Sequence, residues 1–146
     1  RVIKKKNLII HGRLDDVINI RGHRIGSAEI ESIILKSHYI KEVCAIGIDD
    51  ELAGKELIVF IVSNTKTRVT NVVENLIFNN FGSFALPKKI ILLSELPKTR
   101  SGKILRRVLR DLYLNPNTKK IGDLSTILNK NVIVEIKKKL IRINKN

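Results

Sequence analysis

The stretch PKTRSGKILRRVLR, Pro97 to Arg110, places Lys103 directly behind Gly102 in a short polar loop, ahead of an apolar and arginine-rich run. Three chemistries suit a lysine in that setting. A phosphate-binding P-loop is excluded, because G-x-x-x-x-G-K-[ST] needs a glycine where Pro97 stands and a hydroxyl residue where Ile104 stands. A plain solvated lysine at a helix start is the second, although the helix dipole disfavours a cation there. The third is a mobile loop that carries an ammonium, beside open backbone N–H groups, to a phosphate or carboxylate. Such a group stabilises the negative charge that develops in acyl or phosphoryl transfer without changing its own protonation. The neighbouring glycine keeps the approach unobstructed.

The elements that must hold this loop read as an α+β domain. Leu8 to Ile10 and Val17 to Ile20 are expected as two strands around the Gly12–Asp16 connection, with Gly22 and Gly26 as punctuation. Ser27 is expected to cap a helix ending near Ser37, with Glu29 and Glu31 in its first turn. Ala28, Ile30, Ile33, Ile34 and Leu35 would form its buried face. Val43–Ile48 and Leu57–Val62 suggest a hairpin turning at Asp49–Gly54. Val69, Val72, Val73, Leu76 and Ile77 keep helical spacing, KKIILLSEL after Pro87 is a strand, and Ile104, Leu105, Val108, Leu109 and Leu112 line one side of a helix. The order β-β-α-β-β-α-β-α implies a small sheet with an N-terminal hairpin and packed helices. Asn115 to Lys120 reads as a polar linker, followed by GDLST and a basic, loosely amphipathic helix from Val132 to Ile143.

Composition narrows the setting. The 146 residues, 43% hydrophobic, can build one ordinary core. With no methionine, the sequence is expected to be a piece of a longer chain. It has no apolar run of the roughly 18–20 residues that a membrane span needs, and no signal-peptide pattern. Cys44 stands alone in EVCAIGI, which excludes a disulfide framework or a cysteine-built zinc site, reads as a small buried hydrophobe and suits the cytoplasm. The net charge of +14 raises the prospect of a polyanionic partner, yet aromatics are only 4%, too sparse to interleave for base stacking. A nucleic-acid module is therefore a poor fit, and much of the charge reads as solvated surface.

Two stretches, GRLDDVINIRGHRIGSAEIE at 12–31 and LPKTRSGKILRRVLR at 96–110, resemble the C-terminal domain of acyl-CoA synthetases in the adenylate-forming superfamily. The resemblance runs from Leu8 to the last helix, with both motifs in the family's order. GDLST at 122–126 resembles the tail of acetyl- and propionyl-CoA synthetases, which implies a short acyl group. It implies a two-step ligation: a carboxylate attacks ATP to give an acyl-adenylate and pyrophosphate, and coenzyme A then displaces AMP. It further implies a large N-terminal adenylation domain as partner, holding ATP and Mg2+, and this chain as its lid. Residues 1–15 would be linker and hinge, 16–114 the lid and 115–146 an extension packed on it. The isolated chain is expected to be inactive.

The resemblance assigns roles residue by residue. Lys103 would bridge the carboxylate and the α-phosphate during adenylation. Asp15 would be the hinge, Arg13 would contact the nucleotide and Arg24 the adenylate phosphate after rotation. Gly22 would line the pantetheine tunnel, although a hairpin glycine with positive φ explains it equally. Arg21 replaces a small residue beside it and would alter or supplement coenzyme A contacts. Phe78, Asn79 and Asn80 stand where relatives carry a basic residue for the coenzyme, leaving Lys88 and Lys89 as substitutes. His23 receives no proton-transfer role. Pro97, Gly102 and Lys103 also match the family's lysine-acetylation site, implying an acetyltransferase and deacetylase as partners. A free-standing basic module for RNA or an acidic protein, and the lid of a longer-chain or aryl-acid ligase, are the competing readings.

Overall fold

The computed structural model describes residues 17–65, 67–118, 121 and 127–143. β1 (Val17–Ile20) and β2 (His23–Gly26) form an antiparallel hairpin with Ile20 opposite His23. The turn between them holds Arg21 at φ 49° and Gly22 at φ 84°. Paired positive φ values suit a two-residue hairpin turn, where their twist matches that of the strands. This hairpin adds a strand the sequence did not suggest: HRIG, in which only Ile25 is buried, is too polar a stretch to read as a strand. The expected strand Leu8–Ile10 and the Gly12–Asp16 connection lie outside the described residues.

α1 (Ser27–Ile34) follows directly, with Gly26 rather than Ser27 at its cap position. Ser27 is the first helical residue and is buried, while Ala28 and Leu35 face solvent. Ile30 and Ile34 carry the packing, one turn apart.

β3 (Ile40–Asp50) and β4 (Gly54–Ser63) make the expected hairpin, longer at both ends. α2 (Val69–Phe81) then carries the chain back so that β5 (Lys89–Leu93) lies parallel to β4. β4 is the central strand: β3 runs along one edge, while β5 from Ile58 onward and β1 at Gly54 share the other. α3 (Arg106–Leu114) and α4 (Asn131–Ile143) complete the described elements. α3 starts after Ile104 and Leu105, which precede the helix.

The sheet is covered on both faces, which explains why β3 and β4 read as continuous apolar runs without alternating polarity. Val43, Ala45, Leu57, Val59 and Ile61 point to the face that also takes α1, α2 and the β1–β2 hairpin. Cys44, Ile46, Ile58, Phe60 and Val62 point to the other, with α3 and α4. Val132, Ile133, Ile136 and Leu140 of α4 are all buried there, a stripe that fixes the helix despite its many lysines. Each such side chain contributes on the order of 1.5–3 kcal/mol by leaving water.

Candidate functional site

Lys103 lies three residues before the head of α3, on the return arm of a miniature hairpin. Lys98 bridges to Ile104, the Thr99 amide donates to the Lys103 carbonyl at 2.9 Å, and the Leu105 amide donates to the Pro97 carbonyl at 2.8 Å. The turn closes where the Gly102 amide donates to the Thr99 carbonyl at 2.9 Å, with Gly102 at φ 83°. Glycine is required here by backbone conformation, because a Cβ would meet nothing within 4 Å. The Thr99 hydroxyl accepts the Lys103 amide at 3.1 Å and lies 2.9 Å from the Ser101 hydroxyl. Lys103 is exposed, and among the described residues its ammonium meets no partner. Of the three settings weighed, a lysine at a helix start does not hold: Lys103 lies near the tip of a braced hairpin.

Two ion pairs secure the base of this hairpin. Lys98 pairs with Glu42 of β3, and Arg106 pairs with Glu31 of α1 at 2.7 Å. Glu31 was expected in the first turn of α1 for its dipole; it is turned inward instead, accepting also the Ala45 amide of β3 at 2.8 Å. Its spacing carries no signal of this role, since its partners are 14 and 75 residues away.

The buried isoleucines of the first motif, Ile18, Ile20 and Ile25, pack in the cluster on the opposite face of the sheet. Arg21 and Gly22 form the β1–β2 turn, which the Arg21 amide ties to the Ala53 carbonyl at 2.8 Å. Arg24, on β2 opposite Asn19, is exposed. Among the described residues nothing lies within 4 Å of a Cβ built at Gly22, so there the glycine answers to its φ. His23 stacks on Phe84 with ring centroids 4.0 Å apart. Arg13 and Asp15 lie outside the described residues, as does the GDLST stretch.

Beside the turn is an open pocket of about 230 Å³ whose lining includes Arg21, Lys55, Glu56, Phe84, Leu86 and Lys88. Lys88 is held by Glu56 at 2.5 Å, and this hydrogen bond raises its pKa above the ordinary lysine value. Lys55 is paired with Asp49 at 3.1 Å. Arg21 is therefore the cation on this wall without an ion pair among the described residues, while Lys89 lies within β5. Phe78 and Asn80 at the end of α2 are exposed, with the Asn80 side chain donating to the Leu76 carbonyl. No group of three or more His, Cys, Asp or Glu side chains able to hold a metal occurs among the described residues, and no described helix is long and apolar enough to cross a membrane.

Comparison with known proteins accounts for this arrangement. The family model for the AMP-binding enzyme C-terminal domain matches residues 29–103. Acetyl-coenzyme A synthetase 1 of Kluyveromyces lactis is 39% identical over 135 residues, covering 85% of this chain and 19% of its own length. Acetyl-coenzyme A synthetase 2 of Zygosaccharomyces bailii is 42% identical over 135 residues, covering 87% of this chain and 20% of its own. Among solved structures, an acyl-CoA synthetase of Brucella canis superposes with a TM-score of 0.61 at 32% identity, over 68% of this chain and 19% of that one. The chain spans about a fifth of the length of the curated relatives it matches. With the family model running over half the sequence, from α1 to the hairpin lysine, the chain belongs to the AMP-binding enzyme C-terminal domain family.

Proposed function

We propose that the chain is the lid of a short-chain acyl-CoA synthetase, which joins acetate or propionate to coenzyme A at the expense of ATP through an acyl-adenylate. One observation carries the reading: Leu96, Ile104 and Leu105 around Lys103 pack in the cluster on one face of the sheet, while Ile20 and Ile25, which flank Arg21 to Arg24, pack in the cluster on the other, so one rigid body can present either chemistry to a neighbouring adenylation domain. The partner domain, ATP, the carboxylic acid and coenzyme A are what such a lid works on. Magnesium accompanying the nucleotide would be held mainly by the adenylation domain.

In the adenylation step the Lys103 ammonium would lie between the attacking carboxylate and the α-phosphate. These two anions repel, and a fixed cation between them offsets the repulsion and holds attacking oxygen and phosphorus in line. An exposed ammonium without a partner among the described residues can enter such a site without first breaking an ion pair there. After adenylation, rotation about Asp15, helped by Arg13 at the nucleotide, would withdraw Lys103. Arg24 would then face the adenylate phosphate with its guanidinium fork. The Arg21–Gly22 turn would border the path of the coenzyme thiol, and the Arg21 pocket with Lys88 would lie where coenzyme phosphates can be met.

Acetylation of Lys103 would remove the charge used in the first step. The match to the acetylation motif and the exposure of the side chain support this site. Full adenylation activity in quantitatively Lys103-acetylated full-length protein would refute it.

The deciding experiment uses the full-length protein that carries this chain. Lys103→Ala should abolish ATP–pyrophosphate exchange with acetate or propionate while thioester formation from supplied acyl-adenylate continues. Intact exchange would remove Lys103 from the chemistry and overturn the reading.

A further inference from the structure

We infer that residues 127–135, which follow the lysine hairpin by more than twenty positions, set where that hairpin sits, with Leu128 and Glu135 as positioning residues. The inference rests on the adenylation reading of Lys103. A hairpin as short as residues 97–105 is marginal in water when only two strands hold it. Here a third segment braces it: Thr99 bridges to Ile127, and the Leu128 amide donates to the Lys98 carbonyl at 2.9 Å. Ile127 is 4% exposed and joins the cluster of α3 and α4, so this added segment is anchored in the core.

The segment also grips the chain just ahead of the hairpin. Glu135 of α4 accepts the Ser94 amide on one carboxylate oxygen at 3.0 Å and the Ser94 hydroxyl on the other. The Asn129 side chain donates to Glu95 at 2.9 Å, and Asn129 in turn accepts the Asn131 amide at 3.0 Å, at the head of α4. The run from β5 to Lys103 is thus fastened at Ser94, Glu95, Lys98 and Thr99 by one later segment. A reacting group displaced by about 1 Å can lose a hundredfold in rate. The segment bonds to the lysine hairpin, and among the described residues no hydrogen bond or ion pair joins it to the β1–β2 turn, so its influence should fall on adenylation alone.

The test compares Leu128→Pro, which deletes the amide donor, with Leu128→Ala, which keeps it; the side chain itself is 63% exposed. In the full-length protein, Leu128→Pro should lower ATP–pyrophosphate exchange by roughly 10- to 100-fold and leave thioester formation from supplied acyl-adenylate within about twofold. Amide hydrogen exchange at Thr99 and Gly102 should quicken in Leu128→Pro and not in Leu128→Ala. Glu135→Gln, which leaves the backbone untouched, should shift both readouts in the same direction and carries the test if Leu128→Pro does not fold. Unchanged hydrogen exchange and unchanged adenylation in both variants would overturn the inference, and so would an equal fall in both half-reactions. Lys103→Ala separates the two ideas. If it retains pyrophosphate exchange, the adenylation reading fails, while faster hairpin hydrogen exchange in Leu128→Pro still upholds placement by the segment and its absence overturns it.

Discussion

Arg106 donates to Glu31 at 2.7 Å while the same carboxylate oxygen accepts the Ala45 amide at 2.8 Å, so one side chain joins α1, the β3 edge and the head of α3. It links the two faces of the sheet around its rim. Glu31→Ala would strip the Ala45 amide of its acceptor and should cost about 1–3 kcal/mol, as charged hydrogen bonds in partly buried settings do. Glu31→Gln keeps an acceptor oxygen and should cost less. Urea unfolding of the chain checks the order; equal stability of Glu31→Ala and wild type would show the bond to be idle.

The glycines divide by mechanism. At Gly47 a Cβ would lie 2.9 Å from Ile18 Cγ2 and 3.0 Å from Lys55 Cδ, so Gly47→Ala forces β1 away and should destabilise by about 1–3 kcal/mol through overpacking. At Gly22 there is space but φ is 84°, so Gly22→Ala should cost roughly 1–2 kcal/mol from left-handed strain. Gly22→Asn should recover part of that loss, because asparagine tolerates the left-handed region, whereas Gly47→Asn should not. Thermal unfolding of the four variants distinguishes them.

Asp50 sets an acid limb. Its carboxylate accepts the Ala53 amide at 2.8 Å and the Leu52 amide at 3.0 Å, and these bonds hold its pKa below the ordinary 3.8. A lowered folded pKa means that the stabilisation is fully present above 3.8 and is lost as pH falls through the folded value. Wild type should therefore melt above Asp50→Asn near neutral pH, with the gap closing in acid below the ordinary carboxylate value. A constant gap across that range would contradict the assignment.

The tail helix should behave as core. Ile136 is fully buried, so Ile136→Ala should cost about 2–5 kcal/mol. Val134, 51% exposed on the same helix, should change stability by less than about 0.5 kcal/mol when cut to alanine. Denaturant midpoints of the two variants make the comparison.

The pattern of legibility follows from what sequence encodes locally. β3, β4, α2 and β5 were readable because burial on both sheet faces leaves unbroken apolar runs, and helical periodicity marks α2. β2 was not, since a strand at the sheet's rim buries only Ile25 and looks like punctuation between two glycines. Ser27 misled because capping and first-turn positions share residue preferences, and the preceding glycine took the cap. The lysine loop was found from Gly102 and Lys103, yet its bracing was not. Glu31, Glu42 and Glu135 act through partners 75, 56 and 41 residues away, and nothing in the local pattern separates such a carboxylate from a solvated one.

The sheet is complete once Leu93 is in place, but Ile58, Phe60 and Val62 share a cluster with Val132, Ile136 and Leu140. During synthesis that face of the sheet lacks part of its cover until α4 emerges. Hydrophobic surface left open in this way invites association with other nascent chains or with chaperones. Burial of that face thus waits for α4, so a ribosome stalled between β5 and α4 would hold out a finished sheet with part of one side still wet.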